Sequence, residues 1–257
     1  MNPQAASFDP DFAIAGEDDI EPPLAPRRGR WRRGLAWVAT LAVLGLATGV
    51  MAARHEPAFY RERAASPAPE AWEQAGRRLV TDVSALHAEF VKAGSWEAAF
   101  TDEQINGWLA TDLPRNHPEL LPEGIAEPRI RFLPRRVEFG IRLGTPPLSA
   151  VAWVTAAIRL EEPNRVAITL DDARLGLLPV PRGPLLQELG RRLAKLGMVS
   201  SSRRIDGRSA LMVYIPSTHD SGGTSYWLES LAIGAGDVAV AGRTRPATLP
   251  IGPTAGP

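Results

Sequence analysis

The chain has 257 residues and a mass of 27.7 kDa, with 29 basic and 29 acidic side chains and so no formal net charge. That length can bury a real core in one or two domains, and 44% hydrophobic with 23% charged residues is an ordinary globular balance. The neutral balance argues against a general nucleic-acid binder, and the absence of cysteine excludes disulfide frameworks, thiolate metal sites and thiol nucleophiles together.

The neutrality is a sum over unlike parts. Residues 1–26 hold six acids, no base and five prolines. Such a segment buries too little apolar surface to offset its ordering entropy, so residues 1–33 are expected to be a disordered cytoplasmic tail, first acidic and then basic. The basic part is Arg27, Arg28, Arg30, Arg32 and Arg33. Residues 34–53 (GLAWVATLAVLGLATGVMAA) carry no charge at all. About 20 residues in a helix span a hydrocarbon core of roughly 30 Å. Only Arg54 follows at once; Arg61 and Arg63 come later, diluted by Glu56 and Glu62. The positive-inside rule then leaves the N-terminus in the cytoplasm and the C-terminal bulk outside. The expectation is a single-pass signal anchor at 34–53 in a bacterial inner membrane. A cleaved signal peptide ending near Val50-Met51-Ala52 is the alternative, and the long apolar run and 33-residue leader weigh against it. Arginine outnumbers lysine by 27 to 2 throughout the chain, a bias of GC-rich coding that weakens any argument from arginine identity alone.

Residues 54–68 read as a linker. From Pro69, Trp72, Ala75, Leu79, Val83, Leu86 and Phe90 recur every three or four positions, which is one apolar stripe of a helix stopping at Gly94. His87 lies off that stripe. Thr101-Asp102-Glu103-Gln104 is a capping box opening a second helix, with Ile105, Trp108 and Leu109 as its apolar side and Pro114 as its expected limit. Asn106 within it is either solvated or a buried partner for a strand backbone. The period then falls to two. Ile130 and Phe132, then Val137, Phe139, Ile141 and Leu143, predict strands. Residues 148–160 and 165–175 form a hairpin around Glu161-Glu162-Pro163-Asn164, the first strand apolar or small on both faces and so covered on both. Leu185, Leu189, Leu193 and Leu196 line a third helix between Pro184 and Gly197. Residues 210–215, 226–233 and 238–241 read as further strands, and a disordered tail is expected from 243. Residues 69–242 are thus expected to be one extracytoplasmic α+β domain, an antiparallel curved sheet with about three packed helices.

The chemistry is sparse. His55, His87, His117 and His219 show no metal-ligand spacing, and neither a nucleophile elbow nor a phosphate loop occurs. No metal and no cofactor are expected. Asp171 and Asp172 are neighbours in a strand and point to opposite faces unless a bulge intervenes. An exported hydrolase using Asp171, Asp172 or His219 is the enzymatic alternative. The main expectation is a non-catalytic module that binds a lipophilic ligand or a partner membrane protein, with no nucleic acid. Trp153, Val154, Ile158, Met212 and Tyr214 are its candidate groove-lining residues.

The run Phe100-Thr101-Asp102-Glu103-Gln104-Ile105-Asn106-Gly107-Trp108-Leu109, with Gly176-Leu177-Leu178-Pro179-Val180-Pro181 before a helix, resembles the layout of YpmS-like membrane-anchored bacterial proteins. The resemblance covers about residues 70–242. It implies an anchored, non-catalytic envelope domain, with lipid-binding character as a further expectation, and it supplies no catalytic residues.

Overall fold

The structure is a computed structural model that describes residues 28–64, 69–90, 92–145, 147–205, 207–217 and 224–246. The acidic tail before residue 28 and His219 lie outside the described residues. In chain order the elements are α1 (Arg28–Ala53), α2 (Ala58–Ala64), α3 (Pro69–Phe90), β1 (Gly94–Thr101) and α4 (Asp102–Asn116), then a 3-10 turn (Pro118–Leu120). There follow β2 (Ile125–Leu133), β3 (Arg136–Leu143), β4 (Ala150–Glu162), β5 (Arg165–Leu175), β6 (Leu178–Pro179) and α5 (Arg182–Lys195). The chain closes with β7 (Val199–Ile205), β8 (Arg208–Tyr214), β9 (Thr224–Ile233) and β10 (Asp237–Pro246).

Two compact units divide the chain at Gly45 and Leu46. In the first, residues 28–45 are helical, and Trp37, Val38, Leu41, Val43 and Leu44 are exposed. Among the described residues no helix is long and apolar enough to cross a membrane.

The second unit is α+β with antiparallel sheets, as expected, but the strands form two sheets rather than one. A three-stranded sheet runs β1-β10-β9, and a seven-stranded sheet runs β2-β3-β4-β5-β8-β7 with β6 on β5. One face of the large sheet carries Ala156, Ile158, Ile168, Leu170, Leu211 and Val213. Under α5 it meets Leu185, Leu186, Leu189 and Leu193; further along, Ile158 and Ile168 pack with Trp96 and Leu228 of the small sheet.

Within the stretch read as a linker, Ala58–Ala64 form α2. Phe59 and Tyr60 of α2 are buried, with the Tyr60 and Phe59 rings pressed on Gly140 of β3. Arg63 holds α2 to the buried Asp102 at 2.6 Å. A seven-residue helix is too short for periodicity to reveal. Thr101 forms the predicted capping box with Gln104, and α4 continues through Pro114. A proline there forgoes one amide donor near the helix end, and His117 N–H still reaches the Leu113 carbonyl at 3.0 Å. The backbones of α3 and α4 touch at two glycines: a Cβ on Gly107 would stand 2.6 Å from the Gly76 nitrogen.

Two asparagines join the layers. Asn106 is fully buried, and its amide donates to the Ile130 carbonyl at 2.7 Å and accepts the Ile130 N–H at 2.9 Å. This is the strand-backbone partner named as one of two readings. Asn164, at φ 62° in the β4–β5 turn, does the same for β9, donating to the Tyr226 carbonyl at 2.9 Å and accepting Leu228 N–H at 2.6 Å.

Candidate functional site

β1 is the element that makes the site possible. It brings Trp96 to the inner side of the small sheet, opposite Gly242 of β10. The indole lies so close on Gly242 that a Cβ there would collide with its benzo edge. The C-terminal turn of α3 places Phe90 over Trp96, edge to face, with ring centroids 4.6 Å apart. Phe90 also stacks on Tyr226 of β9 at 5.5 Å and 15°. Leu228, Val240 and Ile215 complete an apolar cleft of about 410 Å³, with His87 and Thr224 also on its lining. That volume falls in the range of small-molecule sites, which are lined mainly by apolar and aromatic side chains with a few polar groups.

The polar groups here are few. Burial pushes the Tyr226 hydroxyl pKa above its ordinary value, and the nearby Tyr214 phenol adds to the rise. Trp96 Nε1 is buried with no hydrogen-bond partner among the described residues. An unpaired buried donor costs about 1–3 kcal/mol, so an acceptor brought to it has something to gain.

The sequence-derived groove residues do not converge on this cleft. Trp153 sits with Phe59 and Tyr60 under α2 and donates Nε1–H to the Gly176 carbonyl at 2.9 Å. Val154 packs under α5, and Ile158 lies between the two sheets. Met212 pairs with Ala167 on the opposite face of the large sheet. Two of the five adjoin the cleft: Ile158 packs against its Trp96 and Leu228 walls, and the Tyr214 phenol lies near Tyr226. Of the residues that build it, Phe90 was readable as the last member of a helical stripe and Tyr226 as the start of a strand, whereas the sequence showed no element at Trp96.

A second concavity of about 760 Å³ surrounds Asp171. A bulge does occur here, since Thr155 faces Asp172 and Ala156 faces Leu170, which leaves Asp171 as the extra residue. The two carboxylates nevertheless go to different arginines. Asp171 meets Arg208 at 2.9 Å and Arg136 at 3.2 Å, whereas Asp172 meets Arg174 at 2.8 Å. Among the described residues no three acids or histidines cluster as a metal site would require.

No protein-family model matches the chain, and neither the curated proteins nor the solved structures show a match.

Proposed function

We propose that this chain is a single-pass, membrane-anchored envelope protein whose outer domain is a non-catalytic binding module for a lipophilic ligand. The ligand occupies the Phe90–Trp96–Tyr226 cleft. The observation that carries this reading is the aromatic-walled apolar cavity of about 410 Å³ in a domain that follows an uncharged run of apolar residues at 34–53. A helix that is apolar around its whole circumference needs an apolar surrounding. Trp37, Leu41, Val43, Leu44, Leu46 and Met51 all stand exposed on α1, which supports a bilayer as that surrounding. The arginine cluster before the run supports a cytoplasmic N-terminus and an extracytoplasmic domain at the bacterial inner membrane. The layout shared with YpmS-like proteins points the same way. The hydrolase alternative gains nothing from Asp171 and Asp172, each engaged by its own arginines.

The test is mass spectrometry of the lipid extract from purified full-length protein, beside the cleft-filling variants Val240→Trp and Thr224→Trp. The expected result is one lipophilic species bound near stoichiometry in the wild type and lost from both variants while circular dichroism is unchanged. Equal extracts from all three proteins contradict the ligand reading.

A further inference from the structure

The loops around the end of α1 carry three leucines turned to solvent: Leu148 at 81% exposure, Leu177 at 48% and Leu178 at 39%. Singly, exposed leucines need no explanation, but an apolar group of them at one place does. These three share the end of the sheet where β4 begins and β5 finishes, because Ala152 pairs with Leu175. Both loops grip the chain as it leaves α1. Leu177 N–H donates to the Ala52 carbonyl at 2.9 Å. Gly176 packs on the Ala52 and Ala53 carbonyls so tightly that no Cβ fits. The Arg54 guanidinium donates to the carbonyl of Pro147, next to Leu148. Trp153 Nε1 fixes the Gly176 carbonyl from the other side.

We propose that Leu148, Leu177 and Leu178 form a rim that dips into the outer leaflet of the bilayer and seats the domain directly on the membrane surface. The proposal rests on the reading of residues 34–53 as the span. Ala53 ends the uncharged run, so the helix leaves the hydrocarbon near that residue. Leu177 is one hydrogen bond away from Ala52 and therefore stands at the boundary plane. At that depth leucine side chains gain by leaving water. The end of the sheet is then held at the bilayer surface through its contacts with Ala52, Ala53 and Arg54.

The chain has no cysteine, so single labelling sites are available in the natural background. Leu148→Cys, Leu177→Cys and Leu178→Cys are each labelled with NBD in the full-length protein and reconstituted in phosphatidylcholine–phosphatidylglycerol vesicles. The vesicles carry a doxyl quencher either near the headgroup or deep in the acyl chain. Val199→Cys is the aqueous control. Val199 lies opposite Tyr214, and Tyr214 opposite Arg165, at the far end of β5 from Leu175. That distance is about 30 Å of extended strand. Leu44→Cys reports on the span. The expected result is blue-shifted emission at all three rim positions, lost to the shallow quencher, with Val199→Cys unaffected and Leu44→Cys quenched by the deep label. Rim labels no more quenched than Val199→Cys, beside a quenched Leu44→Cys, overturn the rim while the anchor stands. An unquenched Leu44→Cys overturns the anchor and the rim together.

Discussion

The indole N–H of Trp153 donates to the backbone carbonyl of Gly176 across 2.9 Å, from near the start of β4 to the turn beyond β5. This bond braces the turn against which the last residues of α1 close. Gly176 itself has φ +59°, and a Cβ there would strike the Ala52 and Ala53 carbonyls. Gly176→Ala is therefore expected to destabilise the domain by about 1–3 kcal/mol, through a left-handed backbone and a backbone collision together. Gly183→Ala, where a Cβ meets nothing, is expected to stay within about 0.5 kcal/mol of wild type or to gain slightly. Denaturant unfolding of the two variants in detergent micelles checks the contrast.

Asn106 serves as a piece of strand backbone on a helix. Asn106→Leu keeps a similar volume but leaves both Ile130 N–H and Ile130 C=O without this partner in a part-buried place. A loss of about 1–3 kcal/mol is expected, since two part-buried groups lose their partner. Unfolding midpoints for Asn106→Leu and for the surface variant Asn116→Leu measure it, and similar values for the two contradict the bridging role.

Much of the fold was legible in the sequence where one face is apolar. The α3 stripe, the capping box at Thr101, the long β4–β5 hairpin and the leucine face of α5 all follow from period and caps. What escaped has physical reasons. β1 (GSWEAAFT) is short and weakly patterned, and it hides between a glycine and a helix cap. β7 (VSSSRRI) is a polar edge strand, whose outer side needs no apolar alternation. Periodicity shows which side of a strand is buried and never which strand it joins, so the split into two sheets was invisible. The cleft draws on residues from His87 to Val240, brought together only by that split. Asp171 illustrates the same limit, because the bulge that isolates it is a property of pairing with β4.

Tyr60 is fully buried, donates its hydroxyl to the Glu127 carbonyl at 2.7 Å, and has its pKa pushed up to about 12 chiefly by burial. The unfolded chain releases this proton near pH 10, so stability is retained below that and falls as the pH rises from 10 toward 12. A shift of this size corresponds to about 2–3 kcal/mol in total. Tyr60→Phe should give up about 1 kcal/mol at neutral pH for the lost hydrogen bond, yet lose less between pH 10 and 12. Parallel alkaline denaturation curves for the two proteins contradict this assignment.

Thr244 is buried in β10, and its Oγ1 has no hydrogen-bond partner among the described residues. Thr244→Val replaces that hydroxyl with a methyl of similar size. The variant is expected to be more stable by about 1 kcal/mol, because an unsatisfied polar atom leaves the interior. A lower unfolding midpoint than wild type contradicts it.

The most direct test of ligand binding in the cleft is photocrosslinking with a diazirine-bearing fatty acid, added to the full-length protein in nanodiscs and mapped by peptide mass spectrometry. Adducts are expected on Phe90, Tyr226 and Val240, in addition to those along α1, with their loss in Val240→Trp. Adducts confined to α1, or an unchanged pattern in Val240→Trp, would contradict it.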